Sequence, residues 1–452
     1  MNETRLLRLW IALCAIAGVV LFASQLWEIP QRSALRGYDN TFNFLWLRSA
    51  FADGDWDFAN DLQIADTLAP DHQVSALNLP RTKAGLIPNK YGIGWALLTA
   101  PAYAIADAVI MTGRATGLWS LQSNGFGPVH QVVVQCWHLA LSFVALWLAW
   151  KAIASWVASQ QAALAGLCAV WAASPLFYYQ TVNLSMSHGA AFFAIALFAF
   201  ALTRAGESIA VRWWLLAGAG WGLAVITRFQ LAVFGVVALW ALLQRSPVGA
   251  GGAVGALSSR VITLTRAAGC FVAGAAPLLL LQLCAWRSVY GEWFVFSYGA
   301  EGEQFHWGRP EIWNSFFSSW HGLFYWHPLL ALAAAGAVGW AWCRRNDAVA
   351  WLLAFAATAY IGAAWWCWWF ASSFGNRSFD AALLPLMAGM AWLFLRTRGK
   401  WRVALWALAI AAGVWNFYVA TLYRTAAISR HEAVTWGEMV EAARRLPEAA
   451  QF

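Results

Sequence analysis

The chain has 452 residues, 61% of them hydrophobic and only 11% charged, with a net charge of +8. That composition belongs to a protein solvated by lipid and excludes the string of three soluble domains that length alone would suggest. The positive charge gathers in short breaks between apolar runs, such as Arg344-Arg345 and Arg396 to Arg402, which is the positive-inside pattern and not a nucleic-acid footprint.

The expected fold is all-α: a polytopic integral membrane protein of about eleven transmembrane helices, within a range of ten to thirteen. The ten-residue alternation of a membrane β-barrel is absent. Spans are expected near 7–27, 130–150, 160–180, 188–203, 213–228, 229–244, 266–286, 322–343, 348–369, 381–396 and 401–422. Residues 1–424 form the transmembrane domain, and 425–452 a tail with an amphipathic helix lying on the outer surface. The seven cysteines lie in or at the ends of apolar runs without paired spacing, so they read as small core residues. Most of the 33 tryptophans read as interface belts.

Arg5 and Arg8 precede the first apolar run, which is read as a retained helix with a cytoplasmic N-terminus. The outer loop 28–88 comes next, with a juxtamembrane helix, and it collects scarce carboxylates. It opens on Arg36-Gly37-Tyr38-Asp39-Asn40. Asp39 would lie near headgroup depth, where a carboxylate could take a proton from an attacking hydroxyl. It could equally cap the helix starting at Asn40, since Asp is a preferred N-cap.

Asp53, Asp55, Asp57 and Asp61 alternate in a way that can offer oxygen ligands to a divalent cation. Position six of that run is Phe58 and position twelve Ile64, so it is no EF-hand, and a solvated, capped turn is the simpler reading. Asp55 is retained as a substrate or metal contact, and Mg²⁺ or Mn²⁺ stays open as a cofactor. Lys90 stands where the loop re-enters the membrane. Its ammonium could hold a phosphate as a point charge or simply snorkel to headgroups.

Residues 91–127 decide the sidedness of the helices after them. If they dip in and return to the outer side, Lys151, Arg204, Arg212, Arg245, Arg260, Arg266, Arg344, Arg345 and the 396–402 cluster all fall inside, and only Arg114 is misplaced. If 91–110 crosses and 213–243 is one helix, then Lys151, Arg204 and Arg212 fall outside. The charge bias prefers the first topology. It gathers Asp39, the Asn183 to His188 break, Arg228, the segment around His306, His321 and His327, and Phe374 to Arg377 on one face. An arginine at membrane depth is costly, so Arg228 and Arg377 are expected to face protein, water or lipid phosphate, with Asp380 a structural partner for Arg377. His188, His321 and His327 could contact substrate or satisfy helix ends, and none has zinc-ligand spacing with another on one helix. Glu301, Glu303 and Glu311 line the segment before His321, where they could contact an acceptor or keep the loop solvated. Gly249 to Ser259 reads as a flexible inner loop.

The order of motifs resembles a known family. Asp39 and Gly54-Asp55-Trp56 in the first loop, and a basic-aromatic turn running into Trp95-Ala96-Leu97-Leu98, are followed by Ala173-Ser174-Pro175-Leu176-Phe177-Tyr178-Tyr179. Then come Gly222 to Arg228, and Gly375-Asn376-Arg377-Ser378-Phe379 ahead of Leu384-Pro385. In that order they resemble the C-type (GT-C) membrane glycosyltransferases, in the branch of the protein mannosyltransferases and the aminoarabinose transferases of lipid A. The resemblance implies transfer of a sugar, with inversion, from a polyprenyl-phosphate donor to an acceptor hydroxyl on a glycan, lipid or protein. It implies Asp39 as the base. Lys90, Arg228 and Arg377 fit the donor phosphate, and the expected setting is a bacterial inner membrane with the site facing the periplasm. No Gly-x-x-x-x-Gly-Lys-[Ser/Thr] or Gly-x-Gly-x-x-Gly stretch is present, which argues against ATP or a nucleotide sugar as direct donor. The rival readings are an O-antigen-type ligase of lipid-linked oligosaccharide, and a lipid or glycan transporter or flippase, which would be expected to show internal repeats that the sequence lacks.

Overall fold

The computed structural model of the chain describes residues 3–29, 35, 37–68, 73–118, 124–207, 211–244, 253–343 and 345–445. Arg36, Arg245, Arg344, residues 249–252 of the glycine-rich loop and 446–452 of the tail lie outside the described residues, as do the side chains of Arg260 and Arg345. The protein is an all-helical polytopic membrane protein. Its helices are α1 (Glu3–Glu28), α2 (Tyr38–Arg48), α3 (Phe58–Leu68), α4 (Gly94–Ala115), α5 (Pro128–Val157), α6 (Gln160–Ala172), α7 (Pro175–Thr181), α8 (Ser187–Glu207) and α9 (Val211–Thr227). They continue as α10 (Gly235–Leu243), α11 (Ala253–Tyr290), α12 (Ile312–Phe317), α13 (Leu323–Trp326), α14 (Leu329–Cys343), α15 (Arg345–Ala364), α16 (Leu384–Arg396), α17 (Gly399–Arg424) and α18 (Trp436–Glu441).

Six helices are long and apolar enough to cross a membrane, one bent pair (α6 with α7) would make a seventh, and five more apolar segments are shorter. Packing gives their directions. Trp10 of α1 stacks on Phe417 of α17, and Ser24 is hydrogen-bonded by Arg424, so those two helices run in parallel. Gln135 of α5 bonds Ser185 just ahead of α8, and Trp156 bonds Thr203, so α5 and α8 run parallel to each other.

α4 is antiparallel to α5: Trp95 stacks on His138 near its start, while Asp107 meets His130 further along. α4 starts beside Thr227, where a Cβ on Gly94 would fall 2.3 Å from the Thr227 hydroxyl oxygen. With the bent pair counted as one, twelve candidate segments lie among the described residues, one more than the eleven spans expected from the sequence.

The expected pair of short spans at 213–244 is also present. α9 ends at Thr227, Arg228 adopts an extended backbone, and the chain turns back: Trp221 Nε1–H donates to the Ala232 carbonyl at 3.2 Å. Residues fourteen apart on one straight helix would stand about 21 Å apart, yet a Cβ on Gly235 would lie 3.4 Å from the Trp221 ring. Short spans are tolerated because they are held by protein as much as by lipid. α16, at 13 residues the shortest, is buried along almost its whole length. Gly389 lets its backbone touch α14, where a Cβ would fall 2.2 Å from the Ala337 nitrogen. Close backbone approach through small residues is how helices associate where lipid removes the hydrophobic drive.

Between α6 and α7 the axis bends by 83° at Ser174-Pro175. Proline cannot supply the next helical N–H and pushes its predecessor to an extended conformation, so one helix ends and another begins. The tail is docked on α13 and α17, where the Tyr418 hydroxyl donates to the Met439 carbonyl at 2.5 Å. Thr435 and Glu438 form a capping box at the start of α18, Met439 is buried, and the Trp436 indole N–H donates to the Tyr325 carbonyl at 2.9 Å.

Candidate functional site

The Tyr38–Arg48 helix begins after Gly37, whose φ of +78° is open to glycine and strained for other residues. No side chain caps this helix. Asp39 occupies its first turn with the carboxylate turned away from the helix end, so the capping role open to it from sequence is not the one adopted. Its Oδ1 accepts from the Tyr91 hydroxyl, and its Oδ2 lies 2.8 Å from Arg377 Nη1.

Four contacts hold the Lys90-Tyr91 turn opposite that helix. Asn89 Nδ2–H donates to the Phe42 carbonyl at 2.9 Å, and its Oδ1 accepts the Tyr91 N–H. The Trp46 indole N–H bonds the Tyr91 carbonyl, and Ser297 Oγ–H bonds the Lys90 carbonyl at 2.8 Å. Lys90 Nζ then reaches Glu301 Oε2 at 2.6 Å and Glu303 Oε1 at 3.0 Å, over the face of the Tyr38 ring. Tyr38 Oη–H donates to the other Glu301 oxygen at 2.6 Å. The strap 291–311 is thus tied to the first loop on one side. On the other side it is tied to α15 by the Phe305–Trp365 bridge and the His306 N–H on the Ala364 carbonyl.

Asp39, Lys90, Arg228 and Arg377 line one cavity of about 1110 Å³, roofed by the strap and floored by α11 and the α9–α10 turn. Lys90 is neutralised by two carboxylates and Arg377 by one. Among the described residues no carboxylate lies within 4 Å of Arg228. Instead Arg228 Nη1 meets Nε2 of His188 at 3.1 Å.

Burial alone would raise the Asp39 carboxyl, but Arg377, the Tyr91 hydroxyl, Lys90 and Arg228 together hold it below the ordinary carboxylate range. It is ionised at neutral pH. Burial works against the Lys90 ammonium, and Glu301 with Glu303 more than offsets it. Burial also lifts Glu303 despite Lys90.

The other sequence candidates stand outside this cavity. Asp55 Oδ1 accepts from Ser49 Oγ and from the Asp57 N–H, closing its own turn. Its neighbours Asp53 and Asp61 both pair with Arg48. Among the described residues no group of three or more His, Cys, Asp or Glu converges on a point that could hold an ion.

His321 has φ +62° and is fully buried, and its Nδ1–H donates to the Trp369 carbonyl at 2.8 Å. Burial pushes its pKa down to about 4, so it stays neutral. His327 packs edge-on against Phe374, and a Cβ on Gly375 would lie 2.3 Å from its Nε2. Both histidines shape the loop that carries Arg377. His188 lies behind Arg228. Tyr91, which grips Asp39, has no sequence signal that singles it out. Glu301 and Glu303 serve as the partners of Lys90, and nothing in their local pattern announces it.

Residues 125–261 match the model of the dolichyl-phosphate-mannose-protein mannosyltransferase family. That stretch holds Ala173 to Tyr179, His188 and Arg228, but neither Asp39 nor Lys90. The fold is shared with the crystal structure of ArnT from Cupriavidus metallidurans bound to undecaprenyl phosphate, at a TM-score of 0.54 and 15% identity over 97% of this chain and 69% of that one. The same protein in the apo state aligns at a TM-score of 0.51 and 15% identity, over 98% and 73%. No curated protein matches the sequence. The GT-C resemblance drawn from motif order is carried by the family model in the middle of the chain and by the fold along its length.

Proposed function

We propose that this protein is a membrane glycosyltransferase that moves a sugar from a polyprenyl-phosphate donor to an acceptor hydroxyl, at the periplasmic face of a bacterial inner membrane. The observation that carries the reading is the pairing, in one cavity, of an ionised carboxylate fixed from two sides with an arginine that has no carboxylate of its own.

Asp39 takes the proton of the acceptor hydroxyl as its oxygen attacks C1 of the sugar. The bond from C1 to the phosphate oxygen breaks with its electron pair going to the phosphate, and the configuration inverts. Arg228 meets the charge that develops on the departing phosphate, a favourable role for a preorganised cation in a site of low dielectric. Arg377 orients Asp39 and lends a second positive charge. Lys90 reaches the phosphate only by exchanging Glu301 or Glu303 for it, so in this state it secures the strap. The undecaprenyl phosphate bound by the structurally similar ArnT supports a polyprenyl carrier.

The test is transfer from a panel of radiolabelled polyprenyl-phosphate monosaccharides, in membranes carrying wild-type protein or Asp39→Asn at equal expression. Transfer by wild type and its loss in the variant support the reading. Consumption of diphosphate-linked glycan instead would point to a ligase, and lipid movement without transfer to a flippase.

A further inference from the structure

Arg228 is a half-buried guanidinium whose orientation has to be set by something other than a carboxylate. Behind it stands the first turn of α8. Arg228 Nη1 is 3.1 Å from His188 Nε2 and 3.5 Å from Ser187 Oγ. Arginine has donors only, so the imidazole nitrogen facing it must be the bare one, and the ring proton sits on Nδ1. Nδ1 lies 3.2 Å from Oδ2 of Asp380, close but off-line for a hydrogen bond, so the contact is mainly electrostatic. The imidazole is stacked on Tyr179 at 4.6 Å between centroids. The Tyr179 hydroxyl in turn accepts the Phe374 N–H at 3.0 Å. His188, Asp380 and Tyr179 are all at most 1% exposed. The ring has one position and one tautomer.

We infer that His188 is a positioning residue: neutral and protonated on Nδ1, it aims the Arg228 guanidinium into the cavity, with Asp380 and Tyr179 fixing the ring. This rests on the glycosyltransferase reading and adds a residue that touches neither donor nor acceptor. An aliphatic side chain at 188 would leave Arg228 without its acceptor, and a cationic one would repel it. The requirement is for one lone pair at the Nε2 position. Glutamine can place its carbonyl oxygen near that point, asparagine cannot reach it, and phenylalanine keeps the stack on Tyr179 without any acceptor.

The experiment measures donor kcat and KM, together with Kd for undecaprenyl phosphate in nanodiscs, for wild type, His188→Phe, His188→Gln, His188→Asn, Arg228→Ala and the His188→Phe/Arg228→Ala double variant. Melting temperatures verify folding. His188→Phe and His188→Asn are expected to lower kcat/KM by about tenfold or more, the scale of a hydrogen bond to a charged group. His188→Gln should recover most of it, and the double variant should be no worse than Arg228→Ala alone, because the two residues act as one. Additive losses, or a His188→Phe enzyme as active as wild type, overturn the inference while leaving the transferase reading in place. A wild type that neither transfers any sugar nor binds the lipid phosphate overturns both.

Discussion

The carboxylate of Asp39 and the guanidinium of Arg377 meet at 2.8 Å, joining the first loop of the chain to the loop ahead of α16. The pair fixes the direction of a carboxylate that is three-quarters buried, and it keeps that carboxylate charged.

Asp39→Asn keeps the shape and removes the base. Loss of general-base assistance is expected to slow transfer by about 10²- to 10⁴-fold, with the melting temperature near that of wild type. Equal transfer rates in the two proteins would remove Asp39 from the mechanism.

The pH profile comes from the same pair. The carboxyl is held below its usual range, so the catalytically competent ionised form persists as pH falls through the ordinary carboxylate range. Arg377→Gln removes the largest of the charges that depress it. The acid limb of kcat/KM should then move to higher pH, since burial is left with less to oppose it. An unchanged limb in Arg377→Gln would mean that a different group governs it.

Lys90 is shared between the strap and the donor phosphate that would enter the cavity. The double variant Glu301→Gln/Glu303→Gln frees its ammonium and should tighten binding of undecaprenyl phosphate several-fold, most clearly at low salt, where Coulomb forces are least screened. Lys90→Met leaves two poorly solvated carboxylates side by side and should destabilise the strap by about 3 kcal/mol. Hydrogen exchange over 291–311 would report it.

Asp61 offers a pH test remote from the cavity. It is buried against Arg48, and burial lifts its pKa to about 6 in spite of that arginine. A folded pKa above the unfolded one makes this group's contribution fully present below about 3.9 and lost as pH rises through about 6. Protection of 57–68 from proteolysis should therefore weaken between those values in wild type, and Asp61→Asn should flatten the change.

The acids around Asp55 are engaged by Arg48 and by their own turn. Chelation with EDTA is expected to leave sugar transfer unchanged. A loss of activity restored by Mg²⁺ or Mn²⁺ would show that an ion is held elsewhere or that this turn opens to receive one.

The helical architecture was legible because lipid forces each apolar run to satisfy its own backbone. The hairpin of two short helices at 213–244 was legible from where Lys151, Arg204 and Arg212 had to lie. Costly charge in an apolar chain also pointed to Asp39, Lys90, Arg228 and Arg377, and these four share the cavity. Their partners were not legible. Tyr91 sits among many aromatic residues with nothing to mark its hydroxyl, and Glu301 finds Lys90 across 211 positions, a separation that no local period encodes. His321 and His327 were plausible substrate contacts by residue type alone. Their surroundings, a backbone carbonyl in one case and a glycine in left-handed conformation in the other, exist only once the loops are folded.

α4 carries a further consequence. It has the length and the apolarity of a membrane span, and it leaves directly from the turn beside Thr227, next to the Arg228 that lines the cavity. A reporter placed after Gly117 answers from the same compartment as one placed after Thr425 if this helix stays on the face of the cavity, and from the opposite one if it crosses.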